Sequence, residues 1–107
     1  MASYVLSYRN PKGYVPTAET RAEWWAWFEG MGDALVNIGQ PVGARGSVGN
    51  CESDSTELGG YSLIDAPDLD TALAIAKACP HLSRDGGVEV GELVPVHDQA
   101  RLDGASS

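Results

Sequence analysis

The chain has 107 residues, with 7 Lys+Arg against 15 Asp+Glu for a formal net charge of −8, two Cys and two His. That length is one domain, and a hydrophobic fraction of 43% with 21% charged residues is the balance of a folded chain. The acidic excess argues against nucleic acid, whose binding needs Lys and Arg on phosphates, and against docking on anionic lipid.

The opening Met1–Arg9 has no basic leader region and no apolar core of useful length, and no segment approaches the ~18–20 apolar residues of a membrane span. A cytoplasmic protein with Cys51 and Cys79 as reduced thiols is therefore expected. No Cys-x-x-Cys, Cys-x-x-His or His-x-x-x-His spacing occurs, so neither a metal nor a cofactor is expected.

In chain order, Tyr4-Val5-Leu6-Ser7-Tyr8 is rich in β-formers, is stopped by Asn10-Pro11-Lys12-Gly13, and predicts a strand. Alternation places Tyr4, Leu6 and Tyr8 on one face and Val5 and Ser7 on the other. A helix over 18–38 follows. Its start reads as a capping box at Thr20–Glu23, with Thr17 after Pro16 as the alternative one turn earlier. Trp24, Trp27, Phe28, Met31, Leu35 and Ile38 draw one apolar stripe along it, and Gly39 with Pro41 ends it. Gly30 and Gly32 weaken the helix by up to ~1 kcal/mol each relative to Ala. The glycine-rich stretch Gln40–Asn50 suits a strand and turn, or a bulged hairpin, and Cys51–Glu57 reads as a polar loop.

Gly59–Asp65 predicts a further strand, and Asp68 caps a second helix from Leu69 to Cys79 with Leu69, Ala72, Leu73 and Ala76 facing inward. Gly87–Val96 reads as the last strand, and residues 98–107 as a flexible polar tail behind a single domain over 1–97. Strand, helix, two strands, helix, strand is the ferredoxin-like α+β pattern, an antiparallel sheet with both helices on one face. In Tyr61–Asp65 neither alternation class is fully polar, so a homodimer packed sheet to sheet is expected.

From Leu58-Gly59-Gly60-Tyr61 through Asp65-Ala66-Pro67-Asp68-Leu69 to Leu73 the sequence resembles the YCII-related (DGPF-domain) family. Cys79-Pro80, Val88-Glu89-Val90 and Tyr4-Val5-Leu6 extend the resemblance over roughly residues 3–96. It implies a dimeric α+β barrel and, in some members, dechlorinating activity. The family's Asp-Gly-Pro-Phe signature falls on Val48-Gly49-Asn50-Cys51, where only Gly49 matches. Its first-helix histidine falls near Ala22 or Glu23, with Asp33 in the place of the acidic partner.

All three tryptophans and the one phenylalanine stand in Trp24–Phe28. Trp24, Trp27 and Phe28 suit either a core or the wall of a pocket for a flat ligand, while Trp25, about 100° around the helix, suits a rim or interface. His81 follows Cys79-Pro80 at a helix end, where a protonated ring meets the terminal carbonyls, and acid–base work is its alternative. His97 falls in the tail. Cys51 is crowded by Glu52, Asp54 and Glu57, which disfavours a reactive thiol, and that acidic run lacks a calcium loop's spacing. Arg45, in Gly43-Ala44-Arg45-Gly46, can clamp a carboxylate or phenolate, or pair with one of the acids. The expected function is binding of a small aromatic or carboxylate ligand between the first helix and the sheet by Tyr8, Trp24, Trp27 and Arg45. The alternatives are a cofactor-independent enzyme on a phenolic or halogenated ring, with Asp33 or His81 moving the proton, and a purely structural dimerisation module.

Overall fold

The computed structural model describes residues 1–51 and 53–96; Glu52, His97 and the expected tail 98–107 lie outside the described residues. Strand β1 (Ala2–Pro11) runs down the middle of a four-stranded sheet. It pairs antiparallel with β3 (Thr56–Ala66) on one side and with β4 (Gly87–Glu92) on the other, and β2 (Leu35–Asn37) lies along the outer edge of β3. The order β2-β3-β1-β4, with helices α1 (Ala18–Met31) and α2 (Leu69–Ala76), is the ferredoxin-like α+β arrangement.

Alternation along β1 buries Tyr4, Leu6 and Tyr8 together with Ile64 and Ala66 of β3, and Ala72 and Ala76 of α2 close over them. Trp24, Trp27, Met31 and Ile75 pack against this cluster from the helices, so both helices cover the same sheet face. The opposite face carries Val5 and Ser7 of β1 beside Leu63 and Asp65 of β3, with Ser3 Oγ donating to Asp65 Oδ1 at 3.0 Å. No helix among the described residues is long and apolar enough to cross a membrane.

Helix α1 starts at the earlier of the two possible caps. Thr20 N–H donates to Thr17 Oγ1 at 3.2 Å, and Thr17 N–H donates to Thr20 Oγ1 at 2.8 Å, a reciprocal box in which a hydroxyl replaces the usual carboxylate. Glu23, expected in that role, instead pairs with Arg84. The helix also stops seven residues short of the expected 38. Gly32 takes φ 57, its N–H bonds back to Glu29, and a short 3₁₀ turn (Gly32–Ala34) redirects the chain into β2. Leu35, whose spacing continues the helical stripe, is a strand residue opposite Ile64.

The strand expected within Gln40–Asn50 does not form; Pro41 alone makes a single bridge, to Gly60. Proline lacks a donor for a ladder, and the glycines that follow offer no side chains to pack on a sheet. Gly39 nevertheless seats this segment tightly. Its φ is 73, and a Cβ there would lie 1.8 Å from the Tyr61 carbonyl oxygen. Tyr61 N–H to Gln40 O (3.3 Å) and Val42 N–H to Gly59 O (3.0 Å) complete the attachment.

Asp68 caps α2 by accepting Thr71 N–H at 2.8 Å, and that bond holds its carboxyl below the ordinary range. The helix ends at Ala76 rather than Cys79, because its last turn tightens into Ala78→Ile75 and Cys79→Ala76 bonds before Pro80. Ala72 and Ala76 face inward as expected, whereas Leu69 (47%) and Leu73 (40%) are exposed, so the buried face is narrower than the leucine spacing implies. β4 stops at Glu92 rather than Val96, with one further backbone bond from Leu93 N–H to Ser3 O before Pro95.

Candidate functional site

A cleft of about 520 Å³ opens between α1, the end of the β1–β3 pair and the segment seated on β3 by Gly39. Arg21, Trp24, Trp25 and Phe28 line it from α1. They occupy i, i+3, i+4 and i+7, one face of a helix. Trp24 meets Tyr8 edge-on at a centroid distance of 4.8 Å, and Trp24 and Phe28 lie 5.7 Å apart. Edge-on and offset rings at these distances are favourable aromatic pairs.

Tyr8 anchors the far wall. Its phenol donates to Ser62 Oγ at 2.8 Å, and Ser62 donates onward to the Ile38 carbonyl at 2.6 Å. This relay ties the Ile38–Val42 wall to the sheet. Burial pushes the Tyr8 phenol pKa up, against the smaller opposing effect of its bond to Ser62, so the group stays protonated.

His81 lies in the 3₁₀ turn Pro80–Arg84 and is 2% exposed. Its Nε2 is 2.6 Å from Asn10 Oδ1, and its ring meets the edges of Tyr14 (4.6 Å) and Trp24 (4.8 Å). Nδ1 is buried without a hydrogen-bond partner among the described residues. Burial and the nearby Arg84 guanidinium both lower the pKa. The ring is therefore neutral at pH 7, which corrects the expectation of a protonated helix cap: its surroundings are aromatic edges and a cation rather than open carbonyls. Arg84 itself binds both oxygens of Glu23, one at 2.7 Å, and donates to Pro80 O at 3.0 Å, fastening this turn to α1.

Among the described residues, the only formally charged side chains lining the cleft are Arg21 and Arg45. Arg45 is engaged by Glu57 at 2.6 Å and donates to Val42 O at 3.0 Å. Arg21 has no ion pair among the described residues. The structure thus brings Tyr8, Trp24, Arg45 and His81 to one cleft, with the exposed Trp25 (59%) also lining it. Trp27 is not with them. It donates from Nε1 to Ile75 O at 3.3 Å and lines a shallower depression between the helices. Asp33 is also elsewhere, exposed in the 3₁₀ turn after α1 and outside the cleft lining, because α1 ends before it.

Asn10, Tyr14 and Arg21 line the cleft and were not among the expected site residues. Arg21 was accessible through its spacing to Trp24, Trp25 and Phe28. Asn10 was not, since a register shift after Tyr8 breaks the strand alternation. Cys51 is exposed and outside the cleft, with its thiol 3.3 Å from Val48 O. Cys79 is buried, and burial pushes its thiol up to about 11, leaving no thiolate at neutral pH. Among the described residues no group of three or more His, Cys, Asp or Glu side chains is arranged to hold a metal ion.

Known proteins give this architecture a family and no more. Neither a curated protein nor a solved structure matches the chain. The family model for the YCII-related domain, however, matches residues 1–97, spanning every strand and helix described above. The chain belongs to the YCII-related domain family.

Proposed function

We propose that the cleft binds a small planar organic anion, an aromatic carboxylate being the simplest member of the class. One observation carries this reading. In a chain of net charge −8, the described residues line the cleft with two arginines and no carboxylate, and its walls are aromatic. Aromatic faces take a flat ring, and a guanidinium takes a carboxylate in a two-pronged hydrogen bond. The open volume favours a ligand over a purely structural module whose pocket is filled by its own side chains. An enzyme acting on a phenolic or halogenated ring would need a proton-moving group at the ligand. Asp33 lies outside the cleft, and both His81 ring nitrogens are engaged or buried.

Thermal-shift and calorimetric titration with benzoate, against toluene as the uncharged control, tests the reading. Benzoate should bind and toluene should not bind comparably. Arg21→Gln should weaken benzoate about ten- to a hundredfold, the value of a charge-assisted contact. Arg45→Gln should cost less, since Glu57 already shares its charge. Equal binding of the two compounds would refute recognition of an anion.

The sheet face away from the helices, with Val5 and Leu63 on it, supports a homodimer as a further part of the proposal. Light scattering on the purified chain should give twice the chain mass; a monomer would remove that part.

A further inference from the structure

At the cleft, one polar side chain is held in a fixed orientation by a partner that offers no polar atom of its own to a ligand. His81 Nε2 is committed to Asn10 Oδ1 at 2.6 Å, and His81 Nδ1 is buried. The tautomer follows from Nδ1. If Nδ1 carried the proton, it would be a buried donor with no acceptor, which folded proteins rarely tolerate; a bare ring nitrogen in the same place costs less. The proton therefore sits on Nε2, His81 donates, and Asn10 Oδ1 accepts.

That assignment orients the Asn10 amide. Its oxygen faces His81 and the backbone of β3, where Gly59 makes room: a Cβ there would lie 2.1 Å from Oδ1 and 2.5 Å from Cγ. The register shift between Tyr8 and Arg9 is what brings Gly59 to this place. The amide nitrogen has no hydrogen-bond partner among the described residues and is not among the buried unpartnered atoms, while Asn10 lines the cleft. Asparagine, histidine and glycine, from three parts of the chain, thus leave the Asn10 amide NH2 group without a partner among the described residues, at an aromatic cleft.

We propose that Asn10 is a ligand-binding residue, its amide nitrogen donating to a carboxylate oxygen of the bound anion, and that His81 is the residue that positions it. The role rests on the anion-binding reading above. It adds a directional contact to the charge supplied by Arg21. Fixing the amide before binding spares the entropy of ordering it on contact.

The test uses the full chain, with benzoate as the probe. Nitrogen-resolved spectra of the side-chain amides should show the Asn10 pair shifting on saturation. Asn10→Ala should weaken benzoate about tenfold, the value of one hydrogen bond to a charged group, and Asn10→Asp should weaken it further by repulsion. His81→Gln, which can still donate to Oδ1, should stay within about threefold of the native affinity, whereas His81→Leu should lose as much as Asn10→Ala. Should benzoate bind and depend on Arg21 while Asn10→Ala binds within about twofold and the amide signals stay still, the Asn10 role is overturned and anion binding survives. Failure of benzoate to bind the native chain would overturn both. If Asn10→Ala does not fold, the amide shift on the native protein decides alone.

Discussion

The two helices cover the same sheet face in opposite ways. α2 is 8 residues long and buries Ala72 and Ala76, whereas α1 is 14 residues long and buries none. Small side chains let the backbone of α2 come down on Leu6 and Ile64, and its leucines are left near the surface. Across the sheet, Trp24, Trp27 and Phe28 prop α1 away, touching one another and Tyr8 mostly edge-on, and a cleft remains beside them. The size of the facing side chains therefore sets how near a helix sits. In this fold the close side holds the core together, and the propped side leaves the cleft open.

The sharpest break of that comparison is a deletion on the close side. Ile64 is 0% exposed, and Ile64→Ala should cost about 2–5 kcal/mol in urea unfolding through lost burial and the cavity left behind. The cleft lining does not include Ile64, so benzoate affinity of the folded fraction should be unchanged. A loss confined to a few tenths of a kcal/mol would mean that the close side is not close-packed.

Next in size is an acid limb set by His81. Burial, and after it Arg84, lowers its folded pKa below the ordinary 6.5, so the folded state disfavours the charged ring. Stability from this group is complete above the unfolded value and is lost as pH falls through the lower folded one. The melting temperature should be level with respect to this group above about pH 6.5 and decline below it, and His81→Gln should remove that part of the decline. An identical acid limb in the two proteins would assign the decline to carboxylates.

The smallest effect on stability belongs to the propped side. Trp25 is 59% exposed, and Trp25→Ala should move the unfolding free energy by no more than about 0.5 kcal/mol while weakening benzoate measurably. If stability falls as much as in Ile64→Ala, the distinction between a packed side and a binding side fails.

Local signals carried much of this architecture. The alternation of Tyr4, Leu6 and Tyr8 and the Asp68 cap are short-range patterns that appear in the structure where their chemistry places them, and the order of strands and helices holds although the second strand forms at Leu35–Asn37 rather than within Gln40–Asn50. The aromatic cluster on α1 was equally visible, since three tryptophans and a phenylalanine in five positions need only helical spacing to share a surface. The resemblance to the YCII-related family was read mainly from the Leu58–Leu73 passage, and the family model matches residues 1–97.

What only the tertiary structure decided lies where distant segments compete for one place. Leu35 continues a helical stripe by spacing, yet it pairs with Ile64, because Gly32 adopts a backbone angle that ends the helix first. Trp27 and Trp24 share that stripe, yet Trp27 donates to Ile75 O on α2 while Trp24 lines the cleft. His81 and Asn10 are 71 residues apart, and nothing local to either states that they meet. Sequence periodicity specifies the face on which a side chain emerges; the partner waiting there depends on chain segments that the period does not contain.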